Sequence, residues 1–154
     1  MRRIRVQSGD FSVDGEWRAL RERLDANAGA VAAFVGLVRE VRGDPDSSLE
    51  LEHYAGMTER SVEAIVAAAE GRWRLAAVTV IHRVGRLRPA DQIVLVLTAS
   101  SHRPDALAAC EFIIDRLKTE AIFWKRETAG GGSRWVEATE QDVERARSWV
   151  GSEP

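Results

Sequence analysis

One stretch of the sequence limits the possible fold more than any other, because a helix-like pattern is followed directly by two strand-like patterns. Its helical part carries five apolar residues at three- and four-residue spacing, namely Val62, Ile65, Val66, Ala69 and Trp73. Residues 75–84 and 92–99 are rich in β-branched and apolar residues and predict strands, with 85–91 as the loop between them. Such an order predicts a helix that buries its apolar face against a sheet.

The rest of the chain predicts further strands and helices in mixed order. Strands are expected at 2–6, 29–39, 49–54, 122–128 and 135–137, the second of them largely buried. Helices are expected at 16–24, at 58–72 with Thr58 as cap, from Pro104 with a buried stripe of Leu107, Cys110, Ile114 and Leu117, and at 139–149 with Thr139 as cap. Adjacent hairpin-like pairs favour an α+β fold over a doubly wound sheet. We expect a single domain over residues 1–154, with a disordered tail at about 150–154.

Composition excludes several classes of protein. Cys110 is the only cysteine, which rules out an internal disulfide and any metal or redox site of paired cysteines. His53 and His82 stand alone in apolar strand patterns, which is typical of structural histidines, so no metal is expected. A net charge of −2 does not suggest nucleic-acid binding. The sequence shows neither a secretory signal nor an apolar run long enough to cross a membrane, which predicts a cytoplasmic protein.

The basic residues are almost all arginine, and the exceptions lie close together. Of 22 basic residues only Lys118 and Lys125 are lysines. Arginine replaces lysine at little cost on a solvated surface, so a lysine that remains is a candidate for chemistry that needs an amine. Lys118 is predicted at the end of a helix and Lys125 on a strand, with Phe123 and Glu127 on the same face as Lys125. Helix capping by Lys118 and an edge-strand charge at Lys125 are the structural alternatives.

Two further segments are candidates for binding an anion. Residues 100–104 join a predicted strand to a helix, and His102 and Arg103 add donors to the free N–H groups of the helix start. A plain capping turn is the structural alternative for this segment. Arg39 ends a predicted buried strand beside a loop, where its guanidinium can reach a cleft or pair with a surface carboxylate.

Five blocks of sequence occur in order between about residues 10 and 150. They are Gly29-Ala30-Val31 with Phe34-Val35-Gly36 and Val38-Arg39, Leu51-Glu52-His53-Tyr54 with Gly56-Met57-Thr58-Glu59, Val80-Ile81-His82-Arg83-Val84-Gly85, Ser101-His102-Arg103, and Leu117-Lys118-Thr119 with Phe123-Trp124-Lys125-Arg126-Glu127 and Arg134-Trp135-Val136. Together these blocks resemble the large, catalytic subunit of molybdopterin synthase.

The resemblance implies an α/β-hammerhead-like mixed sheet with packed helices and a small additional β lobe. It implies a homodimer at the centre of a heterotetramer, in which each copy binds a small ubiquitin-like subunit that ends in a glycine thiocarboxylate. The enzyme would transfer sulfur from that tail to cyclic pyranopterin monophosphate (precursor Z) and form the molybdopterin dithiolene of molybdenum cofactor biosynthesis. The resemblance calls for no metal in this step.

The same resemblance implies roles for individual residues. Lys118 would lie closest to the thiocarboxylate and stabilise an oxyanion or move protons, while Lys125 would contact the pterin. Nearby cations would lower a lysine pKa and leave a partly neutral amine. The substrate-binding residues would be Leu37, Val38, Arg39, His102, Arg103, Lys118, Lys125, Arg126 and Glu127, with Phe34 and Arg134 as possible pocket wall.

Two positions depart from the family pattern, and two other functions stay open. Many relatives carry a basic residue where Leu37 stands, and Arg42 is then the alternative source of that anion contact. Some carry an arginine near Thr139 that reaches across the dimer, for which Arg134 is the candidate here. The alternatives are a non-catalytic scaffold that binds a ubiquitin-like sulfur carrier and an enzyme that forms a Schiff base on a lysine.

Overall fold

The computed structural model describes residues 1–151, and the predicted disordered tail therefore lies mostly outside the described residues. Within them the chain forms eight strands and four helices. In chain order these are β1 (Arg2–Gln7), α1 (Val13–Arg21), β2 (Ala30–Leu37), β3 (Ser48–His53), α2 (Met57–Arg72), β4 (Leu75–Arg83), β5 (Gly85–Leu87), β6 (Gln92–Ser100), α3 (Arg103–Thr119), β7 (Phe123–Ala129), β8 (Gly132–Val136) and α4 (Glu140–Ser148). The predicted mixed α+β fold is confirmed.

The larger sheet, here termed the main sheet, has the strand order β1-β4-β6-β2. Only β1 and β4 are parallel, and the other neighbours are antiparallel. Because side chains alternate along a strand, Val78 and Val80 point to the face that packs on α2 and α3, and Ile81 points to the face that packs near Leu20 of α1. Helices therefore cover both faces of the main sheet.

The second sheet, here termed the small sheet, has the order β5-β3-β7-β8 and is antiparallel throughout. Residues 85–87 belong to it, so the prediction of a simple loop at 85–91 is wrong for its first part. Gly85 has a φ of 90°, a conformation that favours glycine, and there the chain leaves the main sheet for the small one. Val38, Leu51, Val84 and Leu87 form a buried cluster where the two sheets meet.

Two helix predictions need correction. The first helix begins at Val13, three residues earlier than predicted, because the Ser12 side chain accepts a hydrogen bond from the Gly15 N–H and caps it. Leu107 is 60% exposed and does not belong to the buried stripe of α3, whereas Cys110 and Leu117 are buried as predicted, together with Phe112 and Ile113.

Strand β2 is less buried than its apolar sequence predicts. It lies at the edge of the main sheet, with β6 on one side only. Phe34, Val35 and Leu37 are exposed by 38%, 36% and 56%, so the prediction of a largely buried strand is wrong for a single copy of the chain. Together with Leu107 these side chains leave an exposed apolar edge, which is the kind of surface that proteins use for association.

Thr58 holds together three elements and is not the cap that the sequence predicts. Helix α2 begins at Met57 with Gly56 as N-cap, two residues before the predicted cap. The fully buried Thr58 hydroxyl donates to the Ile122 carbonyl at 2.7 Å and accepts from the Tyr54 N–H at 3.1 Å. It thereby ties the end of β3 and the start of α2 to the approach to β7.

We expect Thr58→Val to lower the free energy of unfolding by about 2 kcal/mol, because a buried N–H and a carbonyl each lose their partner. Thr58→Ser keeps the hydroxyl and is the matched control, with a loss of about 1 kcal/mol for the missing methyl group. Urea denaturation of the three proteins measures the difference. Equal stability of the valine and serine variants would contradict the role of this hydrogen-bond pair.

None of the helices within residues 1–151 is long and apolar enough to cross a membrane. Over the same residues, no group of three or more His, Cys, Asp or Glu side chains is arranged to hold a metal ion.

Candidate active site

Both lysines lie in the wall of one cavity of about 490 Å³. The cavity is formed by the end of α3, strands β7 and β8, the segment before α4 and the junction of β3 with α2. Its lining includes Tyr54, Met57, Leu117, Lys118, Phe123, Trp124, Lys125, Trp135, Val136 and Glu137. The walls are mostly apolar and aromatic, and among residues 1–151 the two amines are the only side-chain cations in the lining.

The topology explains why the lysines meet. Helix α3 starts just after β6 ends and runs back along the main sheet, so its last turn reaches the end where the small sheet begins. Lys118 lies in that last turn and is exposed. Only a short turn separates α3 from β7, which carries the partly buried Lys125 beside the buried Leu51 of β3.

The pKa of Lys125 is lowered from its ordinary value of 10.5, first by burial and then by the positive charge of Lys118. Asp142 and Glu127 act in the opposite direction and do not cancel the effect. The expected lowering of a lysine pKa thus occurs at Lys125, but its causes are burial and the second lysine rather than a cluster of arginines. An amine in this state can lose its proton more readily than a surface lysine.

The alternation predicted for β7 is confirmed by the strand register. Lys125 and Glu127 lie opposite Leu51 and Leu49, while Arg126 lies opposite Trp135 on the other face. Glu127 accepts from Arg134 at 3.2 Å, so the arginine predicted to reach across a dimer is paired within its own chain. Arg126 pairs with Glu50 at 3.1 Å and lies over the Trp135 ring.

The residues at the end of β2 lie at the same end of the main sheet as Lys118. Leu37 is opposite Gln92, the first residue of β6, and the next residue, Val38, is buried where the sheets meet. Arg39 follows and is exposed. Phe34 lies further along β2, outside the lysine cavity, and lines a groove against α3.

One copy of the chain does not bring His102 and Arg103 to the lysines. Arg103 opens α3 and Lys118 lies in its last turn, and a rise of about 1.5 Å per residue separates them by about 22 Å. Both residues are exposed at the far end of the main sheet. The predicted pocket of two lysines with Arg39, His102 and Arg103 is therefore not formed within a single copy.

The sequence predicts an ordinary structural histidine at His82, but in the structure this residue lies beneath the cavity. Its ring stacks on Phe123, a wall residue, with 4.1 Å between the ring centroids. The alternation along β4 does indicate that His82 is buried, because His82 continues the buried face of Val78 and Val80. A histidine at the end of a buried face was not distinguishable there from core packing.

The chain matches known proteins over most of its length. The family model described as MoaE protein matches residues 6–120. A curated protein named molybdopterin synthase catalytic subunit, from Ralstonia nicotianae, is 53% identical over 147 residues, which cover 95% of this chain and 83% of that protein.

Two solved structures agree with this match. A molybdopterin biosynthesis MoaE protein from Burkholderia ambifaria is 51% identical, with a TM-score of 0.82 and coverage of 97% of this chain and 99% of the other. A molybdopterin synthase from Staphylococcus aureus is 31% identical, with a TM-score of 0.76 and coverage of 85% and 94%. The conclusion from fold, cavity and these likenesses is that the chain belongs to the MoaE protein family.

Proposed function

We propose that this chain is the catalytic subunit of a molybdopterin synthase. It transfers sulfur from the C-terminal thiocarboxylate of a small ubiquitin-like subunit to cyclic pyranopterin monophosphate and so forms the molybdopterin dithiolene. The observation that carries the proposal is that the only two lysines of the chain line one cavity. The family of the chain and the curated relative from Ralstonia support the same activity.

The shape and lining of the cavity are suited to an extended C-terminal peptide tail. Its apolar walls can take up an extended tail, and Lys118, exposed in the last turn of α3, supplies a positive charge for the thiocarboxylate. When the acyl–sulfur bond breaks, negative charge develops on the carbonyl oxygen, and an ammonium group at this position stabilises it. We assign this role to Lys118.

Lys125 is the residue suited to proton transfer. Its partly buried amine has a lowered pKa, so it can accept a proton from the attacking group or return one during ring opening and loss of water. Arginine remains charged at any ordinary pH and cannot replace it in this role. Arg126 and Glu127 lie on opposite faces of the same strand and outside the lining of the lysine cavity, and their contact with substrate is a separate part of the proposal.

A second copy of the chain would complete the site. The exposed apolar edge at Phe34, Val35 and Leu37 is suited to self-association. A two-fold axis near the middle of β2 brings the start of one β2 beside the end of the other. Ala30, at the start, pairs with Ser100, and Leu37, at the end, precedes Arg39. His102 and Arg103 of one copy would thus approach Arg39 and Lys118 of the other.

This arrangement gives the substrate phosphate a basic environment without placing all the cations on one chain. Arg39 of one copy and His102 and Arg103 of the second can donate charge-assisted hydrogen bonds to a phosphate. The homodimer within a heterotetramer, the anion-binding roles, the cytoplasmic location and the single domain over residues 1–154 all remain part of the proposal.

The proposal is tested by mixing this protein with a thiocarboxylated small subunit and cyclic pyranopterin monophosphate. Molybdopterin is read out as its fluorescent oxidised derivative. We expect product only when all three components are present. A small subunit that ends in an ordinary carboxylate is the control and should give none. Binding of the small subunit without product would instead support the non-catalytic scaffold.

A further inference from the structure

His82 lies at the end of β4, where the main sheet meets the small sheet. It is the last residue of β4 that pairs with β6, and the chain turns into the small sheet at Gly85. The residue is only 6% exposed. The imidazole stacks on the ring of Phe123 with an angle of 26° between the planes. Phe123 begins β7, two residues before Lys125, and lines the lysine cavity.

The ring is held by a hydrogen bond to the main chain. His82 Nδ1 lies 2.9 Å from the Arg83 carbonyl oxygen. A carbonyl oxygen can only accept, so Nδ1 carries the proton and donates. The bond fixes the ring at the point where the main sheet ends, and the ring supports Phe123 in the small sheet. One side chain therefore links the end of β4 to the strand that carries Lys125.

The charge state of His82 agrees with such a role. The pKa of His82 is lowered to about 4, mainly by burial and to a smaller extent by the positive charges of Lys125 on β7 and Lys118 on α3, while the hydrogen bond to the Arg83 carbonyl acts in the opposite direction. The imidazole is therefore neutral at the pH of an ordinary assay. A neutral ring adds no positive charge beneath the two amines, as a lysine or arginine in its place would.

We propose that His82 is a positioning residue, which supports Phe123 by ring stacking and thereby holds Lys125 partly buried at the base of the cavity. The inference rests on the role proposed above for Lys125. His82 itself touches no substrate. The imidazole of His82 excludes water from beneath Phe123. The hydrogen bond from His82 Nδ1 to the Arg83 carbonyl sets the orientation of the imidazole.

The two lysines allow a test that needs no activity. Labelling with lysine enriched in ¹³C at the ε carbon gives signals from only Lys118 and Lys125, and their titration can be followed by NMR. In His82→Asn an amide can still donate to the Arg83 carbonyl, but the ring is lost. In His82→Phe the ring is kept and the donor is lost. His53→Asn is the matched control, since His53 lies opposite Phe123 on β3 and remains partly exposed.

We expect His82→Asn to shift the Lys125 titration upward toward that of an ordinary lysine, because water reaches the base of the cavity. In the reconstituted reaction its kcat should fall about tenfold with little change in KM, since an amine of ordinary pKa transfers protons less effectively. His82→Phe should keep the lowered pKa of Lys125 and restore most of kcat. His53→Asn should behave as the wild type in both measurements.

An unchanged Lys125 titration in His82→Asn would overturn the inference, even if activity fell. If His82→Asn does not fold, His82→Phe decides, because a Lys125 titration at the ordinary value in that variant would show that ring stacking is not the cause. Absence of sulfur transfer by the wild type would reject the proposed function and leave the NMR result intact. The two failures can thus be distinguished.

Discussion

Lys125→Arg is expected to slow molybdopterin formation by about a hundredfold, the usual contribution of a positioned general acid or base. The substitution keeps the positive charge but removes the ability to lose a proton. Lys118→Arg should keep more activity than Lys118→Ala, because a charge that stabilises an oxyanion can be supplied by a guanidinium. The measurement is single-turnover product formation with the thiocarboxylated small subunit in excess.

The pH dependence of the reaction gives a second test of proton transfer by Lys125. Its pKa is lowered in the folded protein, so the neutral amine becomes available below the ordinary value of 10.5. The rate of the wild type should rise with pH through a midpoint below that value, and this rise should be missing in Lys125→Arg. Arg18→Lys, on the exposed face of α1, is the control for exchanging lysine and arginine away from the cavity, and its pH profile should match that of the wild type. Near-full activity of both lysine-to-arginine variants would reject an amine-specific role.

The fold was predictable wherever the pattern is local. The spacing of Val62 to Trp73, the cap at Thr139 and the first-turn proline Pro104 depend on near neighbours in the sequence, and the helices appear where these features indicate. Strand β5 was not predictable, because it has only three residues and its partner, β3, lies far away along the chain. The exposure of Leu107 and β2 was missed since periodicity identifies an apolar face without saying what covers it.

The candidate site was predictable only in part, for a related reason. Lys118 lies in the last turn of α3 and Lys125 lies in the following strand, β7. Because only a short turn joins the two elements, the lysines stay close together in any fold that contains this helix and this strand. His102 and Arg103 stand at the other end of the same helix, and helix length alone separates them from Lys118. The local sequence around His102 and Arg103 indicates that they can bind an anion, but it does not indicate which cavity they lie beside. Burial of Lys125 depends on pairing with β3 and was not visible in the strand itself.

Mixing two inactive variants should restore activity if the site is shared between copies. Lys125→Ala removes the amine of the lysine cavity, and Arg103→Ala removes the guanidinium that a second copy would supply. In a hybrid dimer one site carries both defects, and the other has its own Lys125 together with the Arg103 of its neighbour. Random reassortment of equal amounts makes about half of the dimers hybrid, so activity should recover to about one quarter of the wild-type level.

The control for this experiment mixes Lys118→Ala with Lys125→Ala. Both residues line the cavity of a single chain, so every site in their hybrid lacks one lysine and no recovery is expected. Native mass spectrometry of differently tagged copies measures the hybrid fraction, to which the recovered rate should be proportional. If Arg103→Ala and Lys125→Ala form hybrids without recovery, Arg103 does not act across the dimer. The helix that separates it from Lys118 would then exclude it from the lysine site altogether.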